Sequence, residues 1–335
     1  MLFDATLGGY NREMEELRRR ARLLREIRRF LDNRGYLEVE TPQVCATPIP
    51  EAHLHLFSTT FLHPREAQQQ LYLLPSPEYY LKKLLAAGSG SIYEITHSFR
   101  NAESVGPHHN PEFTMLEYYT VDAHSGDSLE VTRDLLSALG ETAEPLVMTM
   151  AQCWQRWTGI DLENVLEAPA LVEAIIARGL SASSRHELAR CSWEDLFQRT
   201  FLSHVEPNLP RDRPVFVTHY PAAIATLARG VPGTPWADRW ELYLDGVEVA
   251  NCYGEETDPQ VILRFMEEQH GLLQRRGDPE PPSPPSPPPP MDPLFLQPPN
   301  VLPRCSGVAL GVDRLCMHFL GEQTINRVIS FPFFR

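Results

Sequence analysis

The sequence predicts an α+β fold in which an antiparallel β-sheet is flanked by helices. Strand-like runs cluster at the spacing of hairpins, and helical stretches do not alternate strictly with single strands. The composition, with 42% hydrophobic and 22% charged residues, is that of a globular protein and excludes a wholly disordered chain. We therefore expect residues 1–335 to form a single domain.

The charge and the cysteines exclude several classes of protein. Acidic residues outnumber basic ones by 44 to 30, and the net charge of −14 argues against a non-specific nucleic-acid binder. The six cysteines include no C-x-x-C pair, which argues against a zinc site and a disulfide framework. No apolar run is long enough to cross a membrane, and the first residues lack the apolar core of a secretory signal. A cytoplasmic protein with reduced thiols is expected.

The first predicted element is a helix over residues 13–34, which Gly35 ends. An apolar stripe at helical spacing predicts this helix: Leu17, Ala21, Leu24, Ile27 and Leu31. A basic stripe runs beside it: Arg18, Arg22, Arg25 and Arg29. We interpret the basic stripe as a solvated face paired with Glu15 and Glu26, and the alternative is a docking surface for an acidic partner.

The remaining elements follow from alternation and helical spacing. A strand is predicted over residues 36–42, where Pro42 stops it. Further strands are predicted at residues 71–74, 91–96, 112–119, 215–220, 239–244, 248–251 and 308–310. Helices are predicted at residues 77–87, 128–139, 170–177, 193–204, 259–276 and 312–319.

One segment has low complexity. Residues 279–303 contain 13 of the 31 prolines, so this segment can neither pair in a sheet nor continue a helix. We expect a flexible, exposed insertion within the domain, acting as a spacer in a surface loop. A ligand for an SH3-type partner is the alternative.

A strand–loop–strand pattern occupies residues 98–119 and carries candidate ligand-binding groups. Arg100 ends the first strand, and polar residues open the second. Alternation puts four residues of the second strand on one face: Phe113, Met115, Glu117 and Tyr119. A strand face that packs in an apolar core does not usually carry a carboxylate beside aromatic rings. The pattern indicates a ligand-lined sheet face, and the alternative is a solvent-facing edge.

Two further segments carry candidate ligand groups. Glu248 and Glu255 are seven positions apart, and we expect them to share a divalent cation or to bind a cationic substrate group. Residues 306–315 read as an apolar strand, Gly311, and a helix whose first turn contains Arg314; a helix start favours an anion. The motifs G-x-x-x-x-G-K-[ST] and G-x-G-x-x-G are absent, so nucleotide chemistry requires another architecture.

In this order, the segments resemble the catalytic domain of class II aminoacyl-tRNA synthetases. Residues 35–42 resemble its motif 1, residues 99–117 its motif 2 and residues 307–314 its motif 3. Residues 76–82, SPEYYLK, resemble the (S/A)-P-E-x-x-x-K segment of lysine-specific enzymes. The resemblance covers about residues 15–330 and implies an antiparallel sheet with flanking helices. It also implies a homodimer built through motif 1.

Within that class the chain most closely resembles the elongation factor P lysine ligases. Lysyl-tRNA synthetases carry an anticodon-binding barrel before motif 1, whereas here only residues 1–34 precede it. The ligase family uses ATP to activate a lysine, preferably (R)-β-lysine, and transfers it to a lysine side chain of elongation factor P. One alternative is a truncated lysyl-tRNA synthetase, which the net charge of −14 disfavours. The other is a non-catalytic paralogue that binds lysine or a nucleotide.

The resemblance implies a role for each matching residue. The catalytic residues are Arg100, Glu117 and Arg314. The ATP contacts are Arg100, Asn101, Ala102, Glu103, His109, Asn110, Phe113, Glu248, Val249, Gly311 and Arg314. The lysine pocket contains Ser76, Pro77, Glu78, Glu117, Tyr119, Glu255 and Ala309. Mg²⁺ is assigned to Glu248 and Glu255, and Ala309 is expected to narrow the pocket because tRNA-charging enzymes have glycine there.

Two residues depart from the family pattern. Ala102 stands where the family has glutamate after R-N, and a one-residue shift would let Glu103 take that role. Cys252 replaces a glycine, and its side chain would crowd the site if that position requires a positive φ. No residue can be named from sequence as the general base of the transfer step.

Overall fold

The computed structural model describes residues 7–62, 64–65, 67–103, 106–276 and 301–333. The strands are β1 (Leu37–Glu38), β2 (Val44–Cys45), β3 (Ser58–Phe61), β4 (Gln69–Leu73), β5 (Ile92–Phe99), β6 (Glu112–Val121), β7 (Leu146–Thr149), β8 (Val215–Thr218), β9 (Arg239–Leu244), β10 (Val247–Gly254) and β11 (Cys305–Gly311). The α-helices are α1 (Leu7–Asn33), α2 (Glu78–Ala86), α3 (Ser125–Ala138), α4 (Met150–Thr158), α5 (Ala168–Ala177), α6 (Arg185–Leu188), α7 (Trp193–Thr200), α8 (Pro259–Arg276) and α9 (Val312–Leu320).

The main sheet has eight strands in the order β1-β5-β6-β11-β10-β9-β8-β7, beside a small sheet in the order β2-β4-β3. Pairing from β5 through β6, β11, β10 and β9 to β8 is antiparallel, so the predicted α+β fold is confirmed. The edge pairs β1–β5 and β7–β8 are parallel, which the strand spacing did not predict. A parallel pair needs a long crossover, and the segment containing α4 to α7 supplies one between β7 and β8.

The two faces of the main sheet differ in chemistry. One face packs against α1, α3 and α9 around an apolar core that includes Ile27, Leu135, Trp240, Leu310 and Leu315. Because successive side chains of a strand alternate, the residues between these core positions reach the opposite face. The buried core therefore fixes the register of each strand, and with it the set of polar groups on the other face.

The segment between β7 and β8 has a core of its own, in which aromatic rings stack. The ring centroids of Trp154 and Phe197 are 5.1 Å apart, and those of Trp193 and Phe197 are 5.3 Å apart. The helix predicted over residues 193–204 ends as an α-helix at Thr200 and continues as a π-helical turn over Phe201–Val205. Helix α7 of this segment reaches the cavity described below.

Helix α1 starts at Leu7, before the predicted residue 13, and its basic stripe faces solvent. Glu15 pairs with Arg18 at 3.6 Å and with Arg22 at 3.0 Å. Arg29 pairs with Glu26 at 2.7 Å. These contacts support the interpretation of the stripe as a solvated face.

Motif 1 forms a shorter strand than predicted. Of residues 36–42, only Leu37–Glu38 pair with β5 as a strand. Thr41 is instead held by a carboxylate, because its N and Oγ1 donate to Glu94 at 3.0 and 2.8 Å.

The proline-rich segment is described only over residues 301–303. There Leu302 is buried in a cluster with Leu81 and Leu85. The predicted flexibility of residues 279–300 falls outside the described residues. All six cysteines lie in described parts of the chain, and all are free. Across the described residues, every helix is too short or too polar to pass through a bilayer.

Candidate active site

A cavity of about 620 Å³ lies over the polar face of the main sheet. The predicted site residues that line it are Glu78, Arg100, Glu103, His109, Asn110, Phe113, Glu248, Val249, Ala309, Gly311 and Arg314. The predicted site residues that do not line it are Ser76, Pro77, Asn101, Ala102, Glu117, Tyr119 and Glu255. The fold therefore gathers residues from four predicted segments, 76–82, 98–119, 248–255 and 306–315, around one cavity, whereas no residue of 35–42 lines it.

At one end of the cavity, which we call the acidic end, Glu78 lies on the wall, and behind it are the buried side chains of Lys82, Glu117 and Glu255. Nζ of Lys82 lies 2.5 Å from Glu78 Oε1 and 2.7 Å from Glu255 Oε2. Tyr119 donates its hydroxyl proton to Glu117 Oε1 at 2.7 Å. The other oxygen of Glu117, Oε2, is buried and has no hydrogen-bond partner among the described residues. One carboxylate oxygen is thus left for a ligand.

Helix α2 presents Glu78 and Lys82 to this end. Pro77 precedes the first helical residue, and the N–H of Glu78 donates to Ser76 Oγ at 3.3 Å. Ser76 and Pro77 therefore form the turn that opens the helix, rather than a wall of the cavity. Glu78 and Lys82 are one helical turn apart, so they share a face of α2.

Burial and like charges perturb the acidic end. Burial raises the pKa of Glu117 well above its usual range, and repulsion from Glu78 adds to the rise. Burial also raises the pKa of Glu255 to about 7, although Lys82 opposes the rise. Burial lowers the pKa of Lys82, but its ion pairs with Glu255 and Glu78 outweigh this effect and raise the pKa. With more carboxylates than cations, the acidic end favours a positively charged ligand.

Small residues of β11 make room for this cluster. Gly307 pairs with Tyr119 across the sheet, and a Cβ on Gly307 would lie 2.4 Å from the Tyr119 ring and 2.6 Å from Glu255 Oε1. Ala309 pairs with Glu117 on one side and with Asn251 on the other. The side chain of Ala309 therefore limits the space directly beside Glu117.

At the opposite end, which we call the arginine end, Arg100 faces the cavity from the end of β5. Its guanidinium lies 5.4 Å from the ring centroid of Phe113, and its Nη1 is 3.6 Å from Glu103 Oε1. Its Nε is buried without a hydrogen-bond partner in the described part of the chain. A buried donor without a partner is costly, so this arginine is arranged for an anionic ligand.

Ala102 of motif 2 forms a left-handed turn. Ala102 has a φ of +54°, a backbone conformation that residues other than glycine rarely adopt. Asn101 and Ala102 are exposed outside the cavity, and Asn101 Oδ1 accepts from the Ala102 N–H at 2.9 Å. The turn brings Glu103 onto the cavity wall, 3.6 Å from Arg100 and 3.8 Å from Nε2 of His109. This geometry supports the expected shift of the glutamate role to Glu103.

Arg314 is held by backbone carbonyls at the arginine end. Its Nη1 donates to the carbonyl of Glu248 at 2.8 Å, and its Nε donates to the carbonyl of His108 at 3.3 Å. The register of β10 shifts at Val249, which forms a bulge next to these contacts. Gly311 precedes α9, and a Cβ there would meet only Val249 O at 3.6 Å and Arg314 Cδ at 3.9 Å.

The motif 2 loop is fixed from the far end of the chain. The N–H of Phe333 donates to Asn110 Oδ1 at 2.9 Å, and the N–H of Ile325 donates to the carbonyl of Pro107 at 2.7 Å. Burial and the charge of Arg314 lower the pKa of His109, which favours the neutral form of its ring. A neutral imidazole and an amide can both hydrogen-bond a nucleobase.

A clamp from α1 fixes the start of α9. Arg20 Nη1 lies 2.6 Å from Asp313 Oδ1, and Arg20 Nη2 donates to Thr114 Oγ1 at 2.8 Å. Asp313 Oδ2 in turn accepts from the Thr114 N–H at 2.8 Å. The Arg20 and Asp313 side chains are 13% and 3% exposed, so the pair is largely shielded from water. It ties motif 3 to the first helix and to β6.

Sequence reasoning missed a second charged cluster, on β9. Glu241 Oε2 accepts from Tyr220 at 2.5 Å and from Tyr243 at 2.6 Å, while Arg239 donates to Oε1 at 2.6 Å. Trp240 and Leu242 between them are in the apolar core. The alternation of charged and apolar residues along β9 is the same signal that marked β6, and it could have found this face.

The structure does not bring Glu255 to Glu248. The continuous strand β10 separates the two residues by about 20 Å of extended chain, so one cation cannot bridge them. The carboxylate that faces Glu248 is that of Glu241: burial raises the pKa of Glu248 to about 7, and repulsion from Glu241 adds to the rise. Among the described residues there is no group of three or more histidine, cysteine or acidic side chains arranged to hold a metal ion.

Cys252 does not crowd the cavity. It lies in β10 without a positive φ and is 1% exposed within the apolar core on the opposite face of the sheet. Its Sγ lies 3.2 Å from Ser306 Oγ. The departure from glycine at this position therefore leaves the site unchanged.

Comparison with known proteins agrees with this geometry. The family profile of the class II tRNA synthetases for aspartate, lysine and asparagine matches residues 9–335. The fold and site thus define a class II synthetase domain. A relative from Yersinia enterocolitica, named elongation factor P–(R)-β-lysine ligase, is 40% identical over 318 residues and 94% of each chain.

Relatives with the same name come from other bacteria. The relative from Vibrio vulnificus is 39% identical over 325 residues, which is 96% of each chain. That from Klebsiella pneumoniae strain 342 is 38% identical over 317 residues, which is 94% of each chain. The chain belongs to the family of these class II synthetase-like ligases.

Proposed function

We propose that this protein activates lysine, by preference (R)-β-lysine, with ATP and transfers it to a lysine side chain of elongation factor P. The observation that carries the proposal is the polarity of one cavity, with carboxylates in excess at the acidic end and Arg100 and Arg314 at the arginine end. A lysine has its ammonium groups and its carboxylate at different positions, and this polarity suits both. The names of the three relatives supply the acceptor.

In the first step, the lysine carboxylate attacks the α-phosphorus of ATP in line, the aminoacyl-adenylate forms and pyrophosphate leaves. No enzyme nucleophile is needed, so the protein must orient the reactants and stabilise developing negative charge. Arg100 suits this role because its forked donors face the cavity and its Nε is unpartnered. We assign Arg314 to the γ-phosphate, since backbone carbonyls hold its guanidinium rigidly.

The remaining cavity residues suit the two substrates. The Phe113 ring, close to Arg100, offers a stacking surface for adenine, and His109, Asn110 and Glu103 provide polar contacts beside it. Glu117 offers a lone carboxylate oxygen to a lysine amino group, and Glu78 offers a second carboxylate on the wall. Glu255 lies behind this wall, where it is paired with Lys82.

The residues at the arginine end also fit Mg²⁺. Glu248 and Glu241 repel each other in one buried place, and a divalent cation between a carboxylate pair and the phosphates would relieve that repulsion. We assign Glu248 and Glu241 to this ion, in place of the pair Glu248 and Glu255. Bound there, the ion would neutralise phosphate charge in the first step.

We further propose a cytoplasmic homodimer built through motif 1. Leu37 of β1 is 55% exposed at the edge of the main sheet, which a second copy would cover. The six free cysteines fit a reducing compartment. The net charge of −14 argues against tRNA as the acceptor.

Intact-mass measurement of elongation factor P tests the proposal. The factor is incubated with the protein, ATP and either α-lysine or (R)-β-lysine, and parallel reactions replace the factor with tRNA or omit ATP. The expected result is a mass gain of one lysyl residue on the factor, larger with (R)-β-lysine, and none without ATP. Charging of tRNA with no gain on the factor would make the protein a tRNA synthetase, and the absence of ATP–pyrophosphate exchange with either lysine would make it a non-catalytic paralogue.

A further inference from the structure

The transfer step needs a proton acceptor that the roles above do not provide. A lysine acceptor arrives as an ammonium with an ordinary pKa of about 10.4, and only the neutral amine can attack a carbonyl carbon. At the acidic end, Glu78 and Glu255 are paired with Lys82, and Glu117 accepts from Tyr119. At the arginine end, Glu248 and Glu241 are assigned to the metal ion.

Two carboxyl groups on the cavity wall remain without a role, those of Glu51 and Glu194. Glu51 feels the charges of Glu78 and Arg100, whereas Glu194 feels those of Asp195 and Arg239, so Glu51 is the one near both substrate positions. It lies in the loop between β2 and β3, and it lines the cavity together with Glu78 and Arg100. Its side chain is 28% exposed, so it has access both to the cavity and to solvent. Because the lysine amino groups belong at Glu78 and the α-phosphate at Arg100, the reacting carbonyl of the adenylate lies between them. Glu51 is on the wall of that same region.

The loop that carries Glu51 is fixed at both sides. The N–H of Ala52 donates to Oε1 of Gln269 at 2.9 Å, and Gln269 is a buried residue of α8. Three residues later, the carbonyl of His55 accepts from the N–H of Asn101 at 2.9 Å. These bonds connect the loop to α8 and to motif 2. The side chain of Glu51 is therefore presented from a rigid backbone.

The charges around Glu51 come from four elements. Glu78 and Lys82 face it from α2, Arg100 from the end of β5 and Tyr253 from β10. From its own loop, His53 Nε2 lies 3.7 Å from Glu51 Oε2. Burial and the repulsion of Glu78 raise the pKa of Glu51 to about 7, while Arg100 and Lys82 oppose the rise. A carboxylate with such a pKa is both partly ionised and usefully basic at neutral pH.

We propose that Glu51 is the general base of the transfer step, an inference that rests on the proposed function. Its carboxylate takes one proton from the ammonium of the acceptor lysine. The amine then attacks the adenylate carbonyl, the new C–N bond forms, and the C–O bond to phosphate breaks with AMP as the leaving group. The second proton of the nitrogen passes to water as the amide forms. Adenylation involves no such proton, so Glu51 is not required for it.

Glu51→Gln separates the two steps, because it keeps the size of the side chain and removes its basicity. ATP–pyrophosphate exchange should stay within threefold of wild type, which also reports that the variant is folded. Single-turnover transfer from preformed adenylate to elongation factor P should fall about 10²-fold or more. The wild-type transfer rate should rise with pH through a pKa near 7 as Glu51 loses its proton, and the variant should lack this rise.

Two controls and one conservative variant make the test more specific. Glu194→Gln changes another carboxyl on the cavity wall and should leave transfer within threefold. Hydroxylamine is neutral at pH 7 and needs no base, so it should consume the adenylate of wild type and of Glu51→Gln equally fast. Glu51→Asp should retain part of the transfer rate, with the same dependence on pH.

The proposal is overturned if Glu51→Gln transfers as fast as wild type. It is also overturned if exchange falls as much as transfer with a raised KM for lysine, since Glu51 would then bind a substrate amino group. If wild type makes the adenylate, which hydroxylamine consumes, but never modifies elongation factor P, the proposed acceptor is wrong. In that case an ε-amine of a lysine peptide serves as acceptor, and the comparison of Glu51→Gln with wild type still decides the role of Glu51.

Discussion

The two ends of the cavity both hold charged side chains away from water, but they balance that charge in different ways. The acidic end is deep: Lys82 and Glu255 are each 2% exposed, and the protein supplies its own counter-ion. The arginine end is open and has loop backbone around it, and the side chain of Arg100 is 35% exposed. There the Nε of Arg100 has no hydrogen-bond partner among the described residues.

This difference between the two ends indicates how much each end depends on a bound substrate to balance its charge. The internal lysine pairs with two of the three carboxylates of the acidic end before any ligand arrives, so the protein itself offsets part of the cost of burying these charges. The arginine end depends on the ligand for charge balance. We therefore expect changes at the acidic end to appear first as loss of stability or selectivity, and changes at the arginine end to appear as loss of rate.

The largest effect is expected from Lys82→Met. It leaves Glu255 and Glu78 without their buried counter-ion, which should lower the free energy of unfolding by about 3–5 kcal/mol. The deficit should shrink at lower pH, because protonation of the unpaired carboxyls removes the buried charge. Urea unfolding at several pH values measures this. Lys83→Met, a change at the neighbouring and less buried lysine, should cost far less, and equal losses for the two variants would refute the role given to Lys82.

Arg100→Ala should be next in size and should act on rate. Removal of its fork should lower adenylation by about 10²-fold or more, or about 3 kcal/mol of transition-state stabilisation, with the fold intact. ATP–pyrophosphate exchange measures the rate, and the thermal midpoint reports the fold. Arg28→Ala, which breaks an exposed ion pair with Glu38, is the matched control. Adenylation within threefold of wild type would remove Arg100 from the mechanism.

Ala309→Gly should change selectivity without a large effect on either rate or stability. Its methyl group lies beside Glu117, so its removal should improve α-lysine relative to (R)-β-lysine by about 1–3 kcal/mol. The ratio of kcat/KM for the two lysines in the exchange assay measures this. An unchanged ratio would mean that other residues set the shape of the pocket.

The smallest effect is expected at the rim of the arginine end. Ala102→Gly relieves the left-handed φ of +54°, and we expect a gain of about 0.5–1 kcal/mol in stability with adenylation unchanged. Denaturant unfolding measures the gain. A loss of adenylation would instead show that the methyl group at residue 102 helps to hold Glu103 toward Arg100.

Much of the site could be predicted because it lies on strands with strict alternation. The strand predicted over residues 112–119 and the one at 239–244 appear in the structure as β6 and β9. Of the four residues predicted on one face of β6, Phe113 and Met115 line the cavity, whereas Glu117 and Tyr119 do not.

Sequence reasoning missed Glu51 and Glu241 for different reasons. Glu241 lies on a strand whose alternation of charged and apolar residues could have identified it. Glu51 lies in an irregular loop whose place depends on Gln269 of a distant helix, which no local pattern records.

The edges of the fold were less predictable than its centre. Strands β2, β3 and β7 are short, and β7 pairs parallel with β8 across the whole helical segment between them, so only tertiary structure defines it. The alternation of residues 36–42 predicted a strand longer than the two residues that pair with β5. The observed strand is shorter because Thr41 hydrogen-bonds to a side chain and not to a neighbouring strand. Hydrophobic periodicity cannot report such competition between backbone and side-chain partners.

The clamp at Arg20 has a consequence for synthesis. Arg20 also donates to the carbonyl of Val328, 308 residues further along the chain, at 3.3 Å. Because the ribosome makes the first helix first, this arginine lacks two of its partners, Asp313 and Val328, until almost the entire chain has been translated. The arginine end of the cavity can therefore be completed only when the last part of the chain has been translated. A nascent chain that stalls before residue 313 would carry motif 2 without the helix that closes over it.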